Sequence, residues 1–556
     1  MTYYSTDGTF MRLEIPNGQN VRNPNTWTLF MADGSKVTKG EIDGQGNLVP
    51  QRVYDRNGNY ITKGGVTLPD STIAPAYVDQ FGRYIAKKTI SQTEDRIIKS
   101  GVDGQPIEWI VRWKYITVIK KYTTSTANDG IGRCCYSSQV LTSQPKVVDE
   151  IELPPELGGQ KFVFNYNGHE GQVAWNGSVQ SPNSSPGWGD LVSITLPSGA
   201  ETEYDYAPLI AFDTDDLIVL LGKVKEKRLK YDSVYDSSPQ QTTETWQYSI
   251  SQSGTTTVVG PDGGTTTQKF YSTATDNDLS GRVYKETNSN GMIVERIWKN
   301  NQVGGCPTYG CGSMRRLNTY VKTEFMTIPD SAGNPTMTAI KDFDYDKNGN
   351  VIKVSEYDWV PYSSIPHAQT GPPLVTGIPS GLAPTRITEN TYYNQTENAS
   401  ILVTNNPASY WNTTAPNVRS AIKSTTIKNA SGTLVSYQEF NYFDVITTAN
   451  LIETRVWDST KGVLASPDSN GFRLNSGNSI STLAEYDTYG NVTETTDAKG
   501  VQTQIVYGDI VGPSGAVYGL YPTQTVAAYG TAIARTSTAE YDFHTGLVTS
   551  ATDVDN

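Results

Sequence analysis

The stretch Tyr345-Asp346-Lys347-Asn348-Gly349-Asn350-Val351 decides the fold. An Asp at the first turn position can accept hydrogen bonds from backbone amides two residues on. A Gly three residues later supplies the left-handed conformation that closes a tight hairpin. Tyr and the apolar residue after the Gly then fall on the two flanking strands. The frame recurs as Tyr54-Asp55-Arg-Asn-Gly58-Asn-Tyr60 and Tyr486-Asp487-Thr-Tyr-Gly490-Asn-Val492, and again in Tyr541-Asp542-Phe-His-Thr-Gly546. Val78-Asp79-Gln-Phe-Gly82-Arg-Tyr84 and Asn277-Asp278-Leu-Ser-Gly281-Arg-Val283 are looser copies.

Working outward, thirteen of the 50 glycines follow Asn or Asp, the dipeptides of tight hairpin turns. In places a second turn arrives about ten residues after the first, as in Asp487…Gly490 then Asp497…Gly500, a cadence that suits strands of five or six residues. Between turns the pattern is β: Val192-Ser-Ile-Thr-Leu196 alternates, and Thr255-Thr-Thr-Val-Val259 and Thr265-Thr-Thr-Gln-Lys-Phe-Tyr271 flank Pro261-Asp-Gly-Gly264. No long amphipathic helix is apparent. Pro and Gly accumulate in the least repetitive stretches, residues 131–160, 169–187 and 361–384, which are expected to be loops or insertions. The expected fold is therefore all-β, one continuous array of antiparallel hairpins over residues 1–556.

Composition agrees. Of 556 residues 36% are hydrophobic with 34 Tyr counted, and 18% are charged, against about 25% charged in an average globular chain. The net charge of −13 is small for this length and aromatics reach 10%, which argues against disorder. A pI of about 4.9 without a substantial basic cluster excludes a phosphate-neutralising surface, so no nucleic-acid partner is expected. The longest aliphatic run, Leu217 to Leu221, falls far short of the roughly 20 residues of a membrane helix, so no membrane span is expected. The first residues, Met1 to Gly8, lack the basic start and apolar stretch of a signal peptide. Either a leader was removed or the chain is a fragment.

The Tyr-Asp-x-x-Gly frame, the unit from Gly189 to Tyr206 and the closing Tyr541…Gly546 motif resemble RHS proteins, also called YD-repeat proteins, over most of the chain. That family includes shell-forming components of bacterial Tc toxins, polymorphic RHS toxins and animal teneurins. The resemblance implies a β-sheet that spirals into a hollow shell, which in the toxin members encloses a C-terminal toxic domain. Toxin-type members also carry a core segment with Asp-Pro-x-Gly-Leu motifs, whereas this chain has no Asp-Pro dipeptide. Asp553-Val-Asp-Asn556 reads as the opening of a further turn, and the natural chain is expected to continue past it.

Candidate chemistry is sparse. His169, His367 and His544 are widely spaced, so a His-dependent triad or multi-His metal site would need distant segments to converge. Asp213, Asp215 and Asp216 read as solvated loop carboxylates. Asp344, Asp346 and Asn348 before Gly349 match the first half of a calcium loop, but position twelve is Ser355 rather than a bidentate Glu. The hairpin already explains the same Asp and Gly. Cys306 and Cys311 enclose a short turn that a disulfide could staple; Cys134 and Cys135 are vicinal. No cofactor is expected.

Tyr at the repeat positions reads as structural, which places Tyr54, Tyr345, Tyr486 and Tyr541 in one row on one face. The resemblance then implies a non-catalytic scaffold, not an enzyme: part of a secreted or cell-surface, bacterial RHS protein whose shell encapsulates a C-terminal effector lying beyond residue 556. The alternative is an extracellular structural or adhesive protein, a surface or filament component that contacts copies of itself or cell-surface ligands through the same repeats.

Overall fold

The computed structural model describes the chain except for residues 1, 5–10, 21–23, 43–45, 47, 127–134, 167–188, 213–217, 236–237, 252–253, 272–278, 303–316, 347–348, 369–373, 394–417, 419, 444–447, 509, 512–516 and 554–556. The described residues are all-β apart from three single-turn 3-10 helices. One open sheet of 33 strands runs from Thr2–Tyr4 to Val548–Thr552. Every pairing is antiparallel and joins strands consecutive along this sheet. Such a meander is what tight turns between short strands produce, since each strand pairs before the chain can travel.

Two hairpins stand off the sheet, Val118–Thr126 with Cys135–Ser143 and Ile510–Val511 with Val517–Tyr518. Residues 131–160, expected as loop or insertion, therefore need correcting. Part of this stretch is half of a detached hairpin, but Lys146–Glu152 is a strand of the main sheet. Glu150-Ile151-Glu152 pair on both sides and Lys146, Val147 and Val148 on one, while the prolines that suggested a loop lie outside the strand. Residues 169–187 lie outside the described residues. In residues 361–384 the described residues include the turn Tyr362–Ser364 and the bridge from His367 to Val375.

Direct cross-strand partners share a face, so the two faces can be followed from strand to strand. One carries the buried Ala74, Ala76, Ala86 and Ile98, and further along Glu295, Phe325, Ile340 and Glu439, all nearly inaccessible. The opposite face is open: along Tyr60–Thr67 the residues alternate between half-buried and exposed, with Ile61, Lys63 and Thr67 outward. The connections 361–384 and 458–478 fold over the buried face. Ile365 joins Phe325 and Ile340, and the backbone N–H groups of Arg473 and Leu474 donate to Glu439.

The ribbon also returns onto itself. Asp33 forms a β-bridge with Val418, the Asn59 side-chain amide donates to the Tyr489 carbonyl at 2.9 Å, and Arg83 donates to the Tyr521 hydroxyl at 2.6 Å. Phe81 sets its ring against Tyr489 and Tyr518, with centroids 5.9 and 5.3 Å away. His544 covers Gly104. The early turns all follow alternate strands and so lie along one edge of the ribbon. Their later partners follow the intervening strands and lie along the other edge. Edge meets opposite edge with both passes advancing in the same direction, which is the closure of one turn of a coil.

Candidate functional site

The feature that repeats along the whole sheet is a turn, a bulge and an aromatic residue. Asp55 accepts the Asn57 and Asn59 amides at 2.8 and 2.9 Å on one oxygen and the Asn59 side chain on the other. Gly58 has φ +90°. Asp487 treats Tyr489 and Asn491 in the same way, and Gly490 has φ +85°. Asp346, 3% exposed, accepts both the backbone and side-chain N–H of Asn350 at 2.9 Å. Asp542 accepts the Thr545 amide and hydroxyl, and its turn is one residue longer, because Gly546 stands four places on.

The residue that reading by Asp and Gly missed is the Asn after the Gly: Asn59, Asn350 and Asn491, and Asn334 at Asp330, where no Tyr precedes the turn. The signal was present as Asp-x-x-Gly-Asn five times over, the fifth being Asp43…Gly46-Asn47, whose Asp and Asn lie outside the described residues. Such donation also acidifies the carboxylates of Asp330 and Asp33. The Asn334 backbone N–H holds Asp330 below the usual carboxylate range, and the Ser35 hydroxyl and amide do the same for Asp33.

Before Tyr345, Tyr486 and Tyr541 the strand register slips by one residue, at Asp344/Tyr345, Glu485/Tyr486 and Glu540/Tyr541. Among the described ladders the same slip precedes Tyr166, Tyr206, Phe270, Trp298, Tyr392, Tyr442 and Tyr507. A bulge frees a backbone carbonyl from the ladder. In four cases the next aromatic along the edge recovers it. The Tyr206, Tyr392 and Tyr486 hydroxyls donate to the carbonyls of Leu191, Val351 and Leu451 at 2.7, 3.0 and 2.8 Å, and the Trp298 indole donates to Val283 at 2.8 Å. Each accepting residue is the partner of the preceding bulge's aromatic.

Tyr54 does not join this row. It ends its strand without a bulge, pairs with Tyr60, and lies at the ribbon's other edge, its hydroxyl donating to Glu41 at 2.7 Å. The four tyrosines therefore do not end strands along one edge: Tyr345, Tyr486 and Tyr541 lie at one edge and Tyr54 at the other.

The more buried face carries ion pairs bridging neighbouring strands. Arg96 bonds Glu108 at 2.9 Å, Arg112 bonds Glu150 and Glu152 at 3.1 and 2.7 Å, and Arg228 bonds Glu203 and Asp205 at 2.8 and 2.9 Å. Lys230 and Arg228 hold Glu203 below the usual carboxylate range.

His367 belongs to a cluster under the 361–384 connection. Its Nε2 lies 3.3 Å from both Glu295 oxygens and its Nδ1 2.9 Å from the Ile365 carbonyl. Lys285 bonds Glu295 at 3.1 Å and Tyr362 at 3.3 Å. Burial is the largest influence on Lys285 and opposes its charge, but Glu295 and Tyr362 together outweigh it and leave the ammonium above its usual range. All four groups are engaged in fastening the loop to the sheet, and nothing in the arrangement positively indicates catalysis.

Of the calcium-loop residues, Asp344 accepts Lys322 at 2.6 Å and Asp346 serves its turn; Asn348 lies outside the described residues. So do Cys306, Cys311, Cys134, His169, Asp213, Asp215 and Asp216. Among the described residues no group of three or more His, Cys, Asp or Glu could hold a metal ion, and no helix is long and apolar enough to cross a membrane.

No family model and no curated protein matches the chain. Among solved structures there is a distant likeness to a Tc toxin component, "Crystal Structure of TcdB2-TccC3-TEV", at 9% identity and a TM-score of 0.18, covering 96% of this chain and 30% of that one. The chain thus spans under a third of that structure's length.

Proposed function

We propose that the chain is the wall of an RHS-type shell, a non-catalytic scaffold of a secreted or cell-surface protein that encloses an effector carried beyond residue 556 of a longer polypeptide. The observation that carries this reading is the closure of the ribbon, in which turn tips of the first pass seat on those of the last through Asn59 with Tyr489 and Arg83 with Tyr521. A wall that joins itself edge to edge separates an inside from an outside. A single layer of hairpins suits containment. Electron microscopy of the intact secreted particle tests it: a closed hollow particle with internal density is expected, and a solid fibre or a flat ribbon would overturn the reading.

A further inference from the structure

The open face of the early strands departs from the acidic character of the chain. Lys63, Tyr77, Ile85 and Lys99 are direct cross-strand partners on four successive strands. They form a straight row with an ammonium at each end and, between them, a tyrosine 56% and an isoleucine 52% exposed. Alongside, Val53 pairs with Ile61, and both are exposed. The carboxylates of this face on the strands from Tyr60 to Ser100, Asp79 and Asp95, are spent. Asp79 bonds Arg83 at 2.6 Å, and the buried Asp95 takes Lys87, Thr89 and Trp113. No carboxylate pairs with Lys63 or Lys99 among the described residues. A chain of net charge −13 thus presents a locally cationic, apolar strip on its open face.

We propose that this strip, centred on Lys63, Tyr77, Ile85 and Lys99, is an attachment surface for an anionic lipid bilayer. Side chains standing out from a sheet face, apolar in the middle and ammonium-tipped at the ends, match a headgroup layer. The layer takes up aliphatic and tyrosyl groups at its acyl boundary while anionic headgroups attract lysine. Lipids rearrange laterally to meet such a strip, whereas an acidic protein would need a matching surface. This inference is independent of what the wall encloses.

The test is co-sedimentation of the intact chain with vesicles of phosphatidylcholine alone or with one-third phosphatidylserine, at low and high salt. Binding is expected only to the serine-containing vesicles and should weaken with salt, because exposed charges are screened. At about 1 kcal/mol per lysine near an anionic surface, Lys63→Gln with Lys99→Gln should lower partitioning roughly 30-fold. Tyr77→Ser with Ile85→Ser should lower it with less change in salt dependence. Lys499→Gln, in an exposed turn elsewhere, controls for bulk charge and should change nothing; far-UV circular dichroism checks that each variant is folded. Equal binding to both vesicles, no binding, or unaltered binding by the strip variants overturns the proposal. So does capture of soluble poly-glutamate at the strip in the absence of vesicle binding, which would make it a docking site for an acidic chain.

Discussion

Gly490 and Gly500 form a matched pair on which the closure of the coil can be tested. Both follow an Asp by three residues, and their φ values are +85° and +81°. Alanine at either position meets the same penalty for a left-handed conformation, about 1–2 kcal/mol. Their surroundings differ. A Cβ at Gly500 would meet nothing within 4 Å, whereas at Gly490 it would lie 2.3 Å from Nδ2 and 2.5 Å from Cγ of Asn57, in the turn of the first pass. To make room, Asn57 must leave its rotamer, at about 0.5–1.5 kcal/mol. The neighbouring bond from Asn59 to Tyr489, about 1 kcal/mol, is lost with it. The excess cost of Gly490→Ala over Gly500→Ala is then about 2 kcal/mol, roughly a 30-fold change in the equilibrium for parting the two passes locally. Hydrogen exchange read by mass spectrometry should show peptides over residues 55–60 exchanging up to that much faster in Gly490→Ala and unchanged in Gly500→Ala. If both variants leave that remote turn alone, or disturb it equally, the two passes do not pack as described.

Two further outcomes follow from the aromatic residues. Tyr486→Phe removes the donor to the Leu451 carbonyl and leaves it unsatisfied at a bulge, so urea unfolding should register a loss of about 1–2 kcal/mol; an unchanged midpoint would mean water replaces the hydroxyl freely. Burial pushes Tyr392, Tyr393 and Tyr437 each up to about 12. Because the folded pKa lies above the unfolded one, near 10, their contribution is fully present below pH 10 and is lost as pH rises through about 12. Phenolate absorbance should resolve a late-titrating class that appears together with loss of near-UV dichroism. A single transition near 10 with the fold intact would contradict it.

The turns were legible because their cause is local. Asp55 and Gly58, or Asp487 and Gly490, determine a hairpin within five residues, and strands between such turns can hardly do other than pair with their neighbours. What escaped reading is set across strands. The slip before Tyr345 exists only in the count of residues on both sides of a ladder, and Tyr54, identical to Tyr345 in its local motif, lacks the slip and sits on the other edge. The strand Lys146–Glu152 was obscured by flanking prolines that lie just outside it. Contacts such as Arg83 with Tyr521 join residues separated by nearly the whole chain, and no local pattern announces them. The His367 cluster was invisible for the same reason, since Glu295 and Lys285 come from strands far upstream of the loop they hold.

The returning ribbon has a dimensional consequence. Turns that meet across the two passes are separated by roughly 23 strands of the main sheet, and at ~4.8 Å per strand one circuit measures about 110 Å around. A ring of that circumference is about 35 Å across at the backbone, and with a wall about 10 Å thick its bore is roughly 25 Å. A folded domain of 100 residues, with a radius of gyration near 13 Å, is wider than that. A helix or an extended chain would pass. On the proposed reading of the ribbon as a shell wall, a bore of this girth takes polypeptide as slender segments rather than as a folded domain.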